Sequence, residues 1–238
     1  MLRGWDDLPD KMKNEKVLRY YNILKNKRGY LFIKRLLDIV FSLVLLIILF
    51  PILLLLGFLI KINSPGPVIF RQTRVTQYGK CFKMLKFRTM INNAEKVGPQ
   101  ITTMADNRIT TLGKFLRKLR LDELPQLINI FLGEMSYVGT RPEVVKYVEY
   151  YSDEMLATLL LPAGVTSEAS ILYKNEEMLL STSNNVDDLY IKTILPRKME
   201  YNLRNIEKCS LGNDCKIIIK TILAMIKKNK SDVIVDLD

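Results

Sequence analysis

The stretch 116–126 reads Leu116-Arg117-Lys118-Leu119-Arg120-Leu121-Asp122-Glu123-Leu124-Pro125-Gln126, two adjacent carboxylates behind a cluster of cations. Asp122 is placed to cap a helix, and Pro125 is tolerated in a first turn whose N–H groups lack intrahelical partners. Those free N–H groups and the positive helix end attract phosphate. A carboxylate held ionised beside phosphorus can attack it and form an acyl phosphate. The plainer reading of the same residues is a capped helix with Glu123 in solvent.

Two further groups of cations could meet phosphate. Lys83, Lys86 and Arg88 alternate with Met84 and Phe87, which in a strand would set a basic row on one face. The same row would also suit a solvated edge strand kept soluble by charge. Arg141-Pro142 follows the glycine-containing turn Val138-Gly139-Thr140, from which a guanidinium can grip phosphate through two hydrogen bonds. Taken alone, it is equally an ordinary surface arginine.

The chain has no histidine. This removes the commonest general base, the usual hydrolase triads and most zinc sites, and leaves acid–base work to carboxylates, Lys, Tyr or Cys. Cys81, Cys209 and Cys215 show no metal-ligand spacing, and their odd number argues against a disulfide framework, as in a reduced cytoplasmic protein. A net charge of +11 calls for anionic partners: phosphate-bearing substrates, acidic lipid head groups or nucleic acid. Aromatic residues are not interleaved with a concentrated basic run, so nucleic acid ranks last. No secretory signal is readable, because the apolar segment starts late, is long and lacks a cleavage site.

The elements that must position these groups begin with a membrane segment. Residues 39–60 carry no charge, and at about 1.5 Å per residue they reach about 33 Å, enough to cross the hydrocarbon of a bilayer. Pro51 sits within the segment and should bend or break it. Lys25, Lys27, Arg28, Lys34 and Arg35 precede it, and Lys61, Arg71, Arg74 and Lys80 follow. Two basic flanks fit a hairpin that enters and leaves on one side, while a kinked spanning helix satisfies the same residues. Before the segment, Leu18, Tyr21 and Leu24 suggest a short amphipathic helix, with a solvated leader as the alternative. After it, Ser64-Pro65-Gly66-Pro67 is a turn. Strands are expected at 68–70 and 82–87, a helix in two pieces over 112–132, another over 143–160, and a helical polar region over roughly 176–228. The final stretch Lys216–Lys228 interleaves Ile217, Ile218, Leu223 and Ile226 with lysines, as in a helix packed on a core or resting on a membrane surface.

In order, the motifs Lys34-Arg35-x-x-Asp38, Pro51, Gly66-Pro67-Val68-x-Phe70-x-Gln72-x-Arg74 and Lys86-Phe87-Arg88-Thr89-Met90 are followed by Gly113-x-Phe115-Leu116-Arg117, Leu121-Asp122-Glu123-Leu124-Pro125-Gln126, Gly133-x-Met135-Ser136 and Gly139-x-Arg141-Pro142. Together they resemble the bacterial sugar transferase family, small membrane-embedded phosphoglycosyl transferases that initiate surface polysaccharide and glycoprotein glycan assembly. The resemblance implies an α-rich α+β fold: a re-entrant membrane helix broken at Pro51, and a compact catalytic domain at the cytoplasmic face of the bacterial inner membrane with a small strand element. The expected divisions are an N-terminal extension over 1–33, the membrane helix over 34–62, the catalytic domain over 63–175 and a packed helical region over 176–238. Lys34 and Arg35 would sit at anionic head groups.

It also implies chemistry. Asp122 would attack the β-phosphorus of a UDP-sugar, release UMP and carry a phosphosugar until polyprenyl phosphate takes it. Glu123 would assist. Mg2+ is expected near Asp122 and the backbone carbonyl of Lys86, with Arg117, Arg141 and Arg88 holding phosphate or donor. The chain departs from the family pattern at Phe50, where a small polar residue is frequent, at Thr140 in place of proline and at Thr76 in place of glycine. Pro162-x-Gly164-x-Thr166 resembles a donor-contacting segment, but Ser167-Glu168-Ala169-Ser170 diverges and leaves the sugar open. Two competing functions are a glycosyltransferase releasing UDP and a non-catalytic, membrane-bound basic adaptor.

Overall fold

The structure, a computed structural model, describes residues 2–92, 106–180 and 185–226. The end of the C-terminal region, from 227 onward, lies outside them. The described residues are helix-rich with small strand elements.

Helix α1 (Glu15–Lys25) is capped by the Asn14 side chain, which accepts from Val17 N. Its buried residues are Val17, Tyr20, Tyr21 and Leu24, whereas Leu18 is exposed. Together with Leu8 and Met12 they form a core with Leu159, Leu160, Leu203 and Ile206. The N-terminal residues are therefore docked on the body of the protein and are not a solvated leader. An apolar stripe of this kind stays in place only when a second surface removes it from water.

Helix α2 (Arg28–Asn63) runs without interruption through Pro51, so the expected break into two helices is not seen. The proline removes one N–H, which a helix this long and apolar can tolerate. The helix is two-sided. A stripe at helical spacing, from Asp38 and Ser42 through Leu45, Leu49, Leu53, Leu56 and Ile60, faces the protein. The other side exposes Phe41, Ile47, Ile48, Phe50, Leu54 and Phe58, among others. By length and composition it is, among the described residues, the one helix able to cross a membrane.

The turn Ser64–Pro67 leads into an antiparallel hairpin of β1 (Ile69–Val75) and β2 (Cys81–Phe87), in register Phe70 with Lys86 and Arg74 with Phe82. Next come α3 (Thr111–Lys118), a 3-10 turn (Leu121–Glu123) and α4 (Gln126–Leu132). This matches the expectation of a helix in two pieces. Strands β3 (Met135–Val138) and β4 (Ala163–Thr166) form a parallel pair. Gly139 and Gly164 cross there so closely that a Cβ on Gly164 would lie 2.2 Å from Gly139 N.

The long helix expected over 143–160 is instead α5 (Val145–Val148), a bend and a 3-10 segment (Met155–Leu160). Ser152 is the reason: its hydroxyl accepts from Met155 N at 3.4 Å, a local bond that competes with helix continuation. The C-terminal region comprises α6 (Glu168–Leu172), α7 (Glu176–Leu180), α8 (Val186–Leu189), α9 (Leu195–Glu207) and α10 (Leu211–Ile226). A second core, around Tyr147, Tyr190, Leu195 and Met199, joins α5 to α9.

Candidate active site

The site forms where β2, the 120–123 turn and the loop after β3 converge. Arg120 adopts the left-handed conformation (φ 57°), which ends α3 and turns the chain sharply into Leu121–Glu123. The next residues therefore point inward. The α4 N-cap is Pro125 and no side chain caps that helix. Asp122 is thus not the cap its position suggested, because it lies in the preceding turn. Its side chain is 6% exposed, and Oδ1 is buried without a partner. Burial pushes its carboxyl above the ordinary aspartate range, helped by the charge of Glu123 and opposed by Lys86, Arg117 and Arg120.

Glu123 is the centre of charge. Its Oε1 lies 2.6 Å from Arg141 Nη2, 3.4 Å from Lys86 Nζ and 3.5 Å from Arg120 Nη1. Burial would raise its carboxyl, but Arg141, Lys86 and Arg120 outweigh that and hold it below the usual range. Glu123 in turn raises Arg141, whereas burial lowers Lys86 despite the same neighbour. The Gly139–Gly164 crossing delivers Arg141 to this point, where its Nη1 also donates to Val165 O at 3.3 Å.

Arg117 approaches from α3, its Nε donating to Thr89 Oγ1 at 3.0 Å. The close approach of Gly113 to Thr89 O fixes that geometry, since a Cβ there would lie 2.0 Å from the carbonyl oxygen. Asp122, Glu123, Lys86, Arg117 and Arg141 all line one cavity of about 1840 Å3.

The other cations singled out in the sequence go elsewhere. Arg88 borders the cavity, but its terminal nitrogens donate to Ser64 O, Ser64 Oγ and Pro65 O, which clamps the turn after α2 onto the end of β2. Lys83 also borders the cavity, but alternation puts it on the other face of its strand from Lys86, where it donates to Thr73 Oγ1, so the three cations do not form one row. Lys34 is engaged in a buried pair with Asp214 of α10 at 2.7 Å. Arg35 donates to Ile130 O and Phe131 O, carbonyls at the C-terminal end of α4.

Sequence reasoning passed over three groups. Gln126 is 1% exposed, lines the cavity, and neither amide atom has a protein partner. Its place in the Asp-Glu-Leu-Pro-Gln motif was the available signal. Asp38 Oδ1 accepts from Tyr137 N at 3.2 Å and so ties α2 to β3. Behind Arg141, Lys198 donates to Glu143 at 3.4 Å, Glu176 at 3.0 Å and the Tyr190 hydroxyl at 3.0 Å, and Tyr190 donates to Glu143 at 2.6 Å. Nothing local in the sequence joins residues so far apart.

A site of this composition can bind a diphosphate, exclude water and offer a carboxylate to phosphorus. For magnesium, the unpartnered Asp122 Oδ1 is a suitable ligand, though among the described residues no group of three acidic, histidine or cysteine side chains forms a cage. That donor set fits a Mg2+ ion that shares its coordination with substrate phosphates.

The chain belongs to the bacterial sugar transferase family, whose profile matches residues 29–228. It is 35% identical over 196 residues to an Aeromonas hydrophila UDP-N-acetylgalactosamine-undecaprenyl-phosphate N-acetylgalactosaminephosphotransferase, covering 81% of this chain and 43% of that protein. It is 36% identical over 195 residues to an Escherichia coli K12 UDP-glucose:undecaprenyl-phosphate glucose-1-phosphate transferase, covering 80% and 39%. It is 32% identical over 228 residues to a Salmonella typhimurium undecaprenyl-phosphate galactose phosphotransferase, covering 90% and 44%. The match thus spans under half the length of each of these relatives.

The Glu143–Lys198 pair gives a pH prediction. Burial raises Glu143, but Lys198 and then Arg74 hold it below its ordinary value of 4.5, so its stabilising contribution is present above that pH and is lost as pH falls further. Burial lowers Lys198, but Glu143 and Glu176 hold it above 10.5, so its contribution is present below that pH and is lost in stronger base. Lys198→Met should cost about 3–5 kcal/mol at neutral pH, because it strands a buried carboxylate. That loss should shrink as pH falls, because without Lys198 burial favours the neutral form of Glu143 and the variant takes up a proton at a higher pH than the unmodified protein does. Thermal unfolding in nanodiscs across pH checks this, and a loss independent of pH would contradict it.

Proposed function

We propose that this chain transfers a sugar 1-phosphate from a UDP-sugar to polyprenyl phosphate through a covalent intermediate on Asp122, as the first step of surface polysaccharide or glycan assembly. The observation that carries the reading is a buried aspartate with an unused oxygen, set in a cavity whose cations are already gathered around Glu123. The names of the relatives supply the donor and acceptor classes. They differ in their sugar, and the sugar used by this chain is left unassigned.

In the first step an Asp122 oxygen attacks the β-phosphorus of the donor. The bond from that phosphorus to the bridging oxygen breaks, and UMP leaves with the electron pair. In the second step a phosphate oxygen of the acceptor attacks the same phosphorus, and the Asp122 carboxylate departs. No strong base is required, because both nucleophiles are anionic and the work is positioning and charge neutralisation. Arg141 and Lys86 hold donor oxygens, Arg117 grips a phosphate and Glu123 keeps Arg141 and Lys86 aimed. The free Asp122 oxygen and the Lys86 backbone carbonyl would hold Mg2+, which would neutralise diphosphate charge when bound.

The same reading puts the protein at the cytoplasmic face of the inner membrane, with both ends of α2 on that face. Both ends of α2 are tied to one body: Lys34 and Arg35 hold its start to α10 and α4, while Leu56 and Ile60 pack its end on Phe87 and Leu116. A helix crossing the bilayer would carry its ends to opposite sides. An unbroken helix packed on one body along a single stripe instead turns its outer face to lipid and keeps both ends at the same water.

With detergent-solubilised protein, magnesium, undecaprenyl phosphate and a panel of UDP-sugars, one or a few donors should release UMP, and chelation should stop it. Asp122→Asn should cost roughly 10^4-fold or more in turnover with folding intact. UDP release would point to plain sugar transfer, release of neither nucleotide to an adaptor, and unchanged turnover in Asp122→Asn to a different nucleophile. For topology, Arg28→Cys and Asn63→Cys, each in a background with Cys81, Cys209 and Cys215 replaced by Ser, should both be labelled from the cytoplasmic side only. Labelling from opposite sides would sink the same-side arrangement.

A further inference from the structure

The cavity that contains Asp122 is lined by groups of two chemical kinds. Some are charged, among them Lys86, Arg141 and the carboxylates described above. Others form an apolar wall: Leu127 and Ile130 of α4 and Tyr137 of β3, which share one cluster, and Ala224, Met225 and Ile226 of α10. Apart from the Tyr137 hydroxyl, the side chains on that wall are hydrocarbon or thioether.

Helix α10 reaches this wall because its inner stripe is pinned at helical spacing. Asp214 accepts from Lys34 Nζ at 2.7 Å and from the Tyr30 hydroxyl at 2.9 Å. Ile217 is buried, and the Thr221 hydroxyl lies 2.7 Å from that of Thr166 on β4. On the other side of its second half Ile219, Ile222 and Leu223 are exposed and apolar like the outer face of α2, beside Lys220, which pairs with Glu168 at 3.5 Å. An exposed apolar surface of this kind calls for a non-aqueous cover.

The volume of about 1840 Å3 exceeds the roughly 300–1,000 Å3 of a site for one small ligand, so a second head group fits beside a nucleotide-sugar. The diphosphate and sugar of a nucleotide-sugar are polar and gain little from an apolar wall. An amphiphile with an anionic head and a hydrocarbon tail matches both kinds of lining.

We propose that the last turns of α10 form one wall of the acceptor-lipid groove. The isoprene units next to the phosphate lie between α4 and α10, against Tyr137 and Ala224, while the phosphate reaches the cations near Asp122. This rests on the proposed reaction and adds the route by which its acceptor enters. It gives α10 a substrate-binding role.

The test uses the full chain in nanodiscs with a polyprenyl phosphate carrying a diazirine on the isoprene unit nearest the phosphate. Photolysis and peptide mapping should place label within 221–226; label confined to other elements overturns the groove. Ala224→Phe should raise the apparent KM for the long-chain acceptor about tenfold, and change that for a phosphate with a single isoprene unit by less than about twofold. Equal changes for both acceptors would also overturn it. Ile219→Ser, on the outward face, should leave both values as they are. If Ala224→Phe lowers the melting transition, Ala224→Leu is read in its place. UMP release from the donor without acceptor separates the two ideas. Its absence in the unmodified protein removes the reaction itself, and its presence with α10 unlabelled removes only the groove.

Discussion

The structure turns on one buried interaction: a single carboxylate oxygen of Glu123 shared by Arg141, Lys86 and Arg120. The partly buried Lys86 and Arg141 and the more exposed Arg120 would repel one another when brought together, and Glu123 offsets that repulsion. Its depressed pKa records that balance. The cluster dictates the backbone around it, including the left-handed Arg120 that turns the chain inward. It also requires the glycine crossing that lets the strand after Val138 pass close enough to β4 to deliver Arg141. Asp122, one residue away, is left buried with an oxygen that no protein donor reaches. Under the proposed function, a site so constructed would be organised for phosphate before any ligand arrives, as electrostatic catalysis requires.

The second constraint is the apolar surface. Helix α2 satisfies its inner stripe against the body of the protein and leaves its remaining circumference exposed. Charged residues in and around it are consumed internally: Lys34 by Asp214, Arg35 by the α4 carbonyls, and Asp38 by the Tyr137 amide. These bonds hold the helix at a fixed height relative to the reactive carboxylates. Under the proposed function, a water-soluble donor and a lipid acceptor would then meet at one cavity.

Much of this was legible in the sequence. The uncharged segment, the two-piece helix around Leu121 and the strand ending in Phe87 each follow from local pattern, and the structure brings Asp122, Glu123, Lys86, Arg117 and Arg141 into one cavity. What was not legible was where each cation spends its charge. Arg88, Lys34 and Arg35 look like ligand-binding or head-group residues by type, yet each has a protein partner 24 or more positions away. The Lys198–Glu143–Tyr190 network was likewise hidden, because only tertiary packing joins α9 to the loop after β3. Asp122 looked like a cap because its spacing from Pro125 permits one, and the 3-10 turn before α4 overrode that local preference. Residues 143–160 carried enough apolar periodicity for a helix, which Ser152 interrupts by bonding to its own neighbourhood.

The account stands on Asp122 becoming covalently bonded to phosphorus. Intact-protein mass spectrometry after brief mixing with an accepted UDP-sugar, without polyprenyl phosphate, tests this directly. The account predicts a mass increase equal to one sugar phosphate, located by fragmentation to Asp122 and discharged when the acceptor is added. An enzyme that turns over at full rate while its mass stays unchanged at every time point, or one labelled at a different residue, would contradict it.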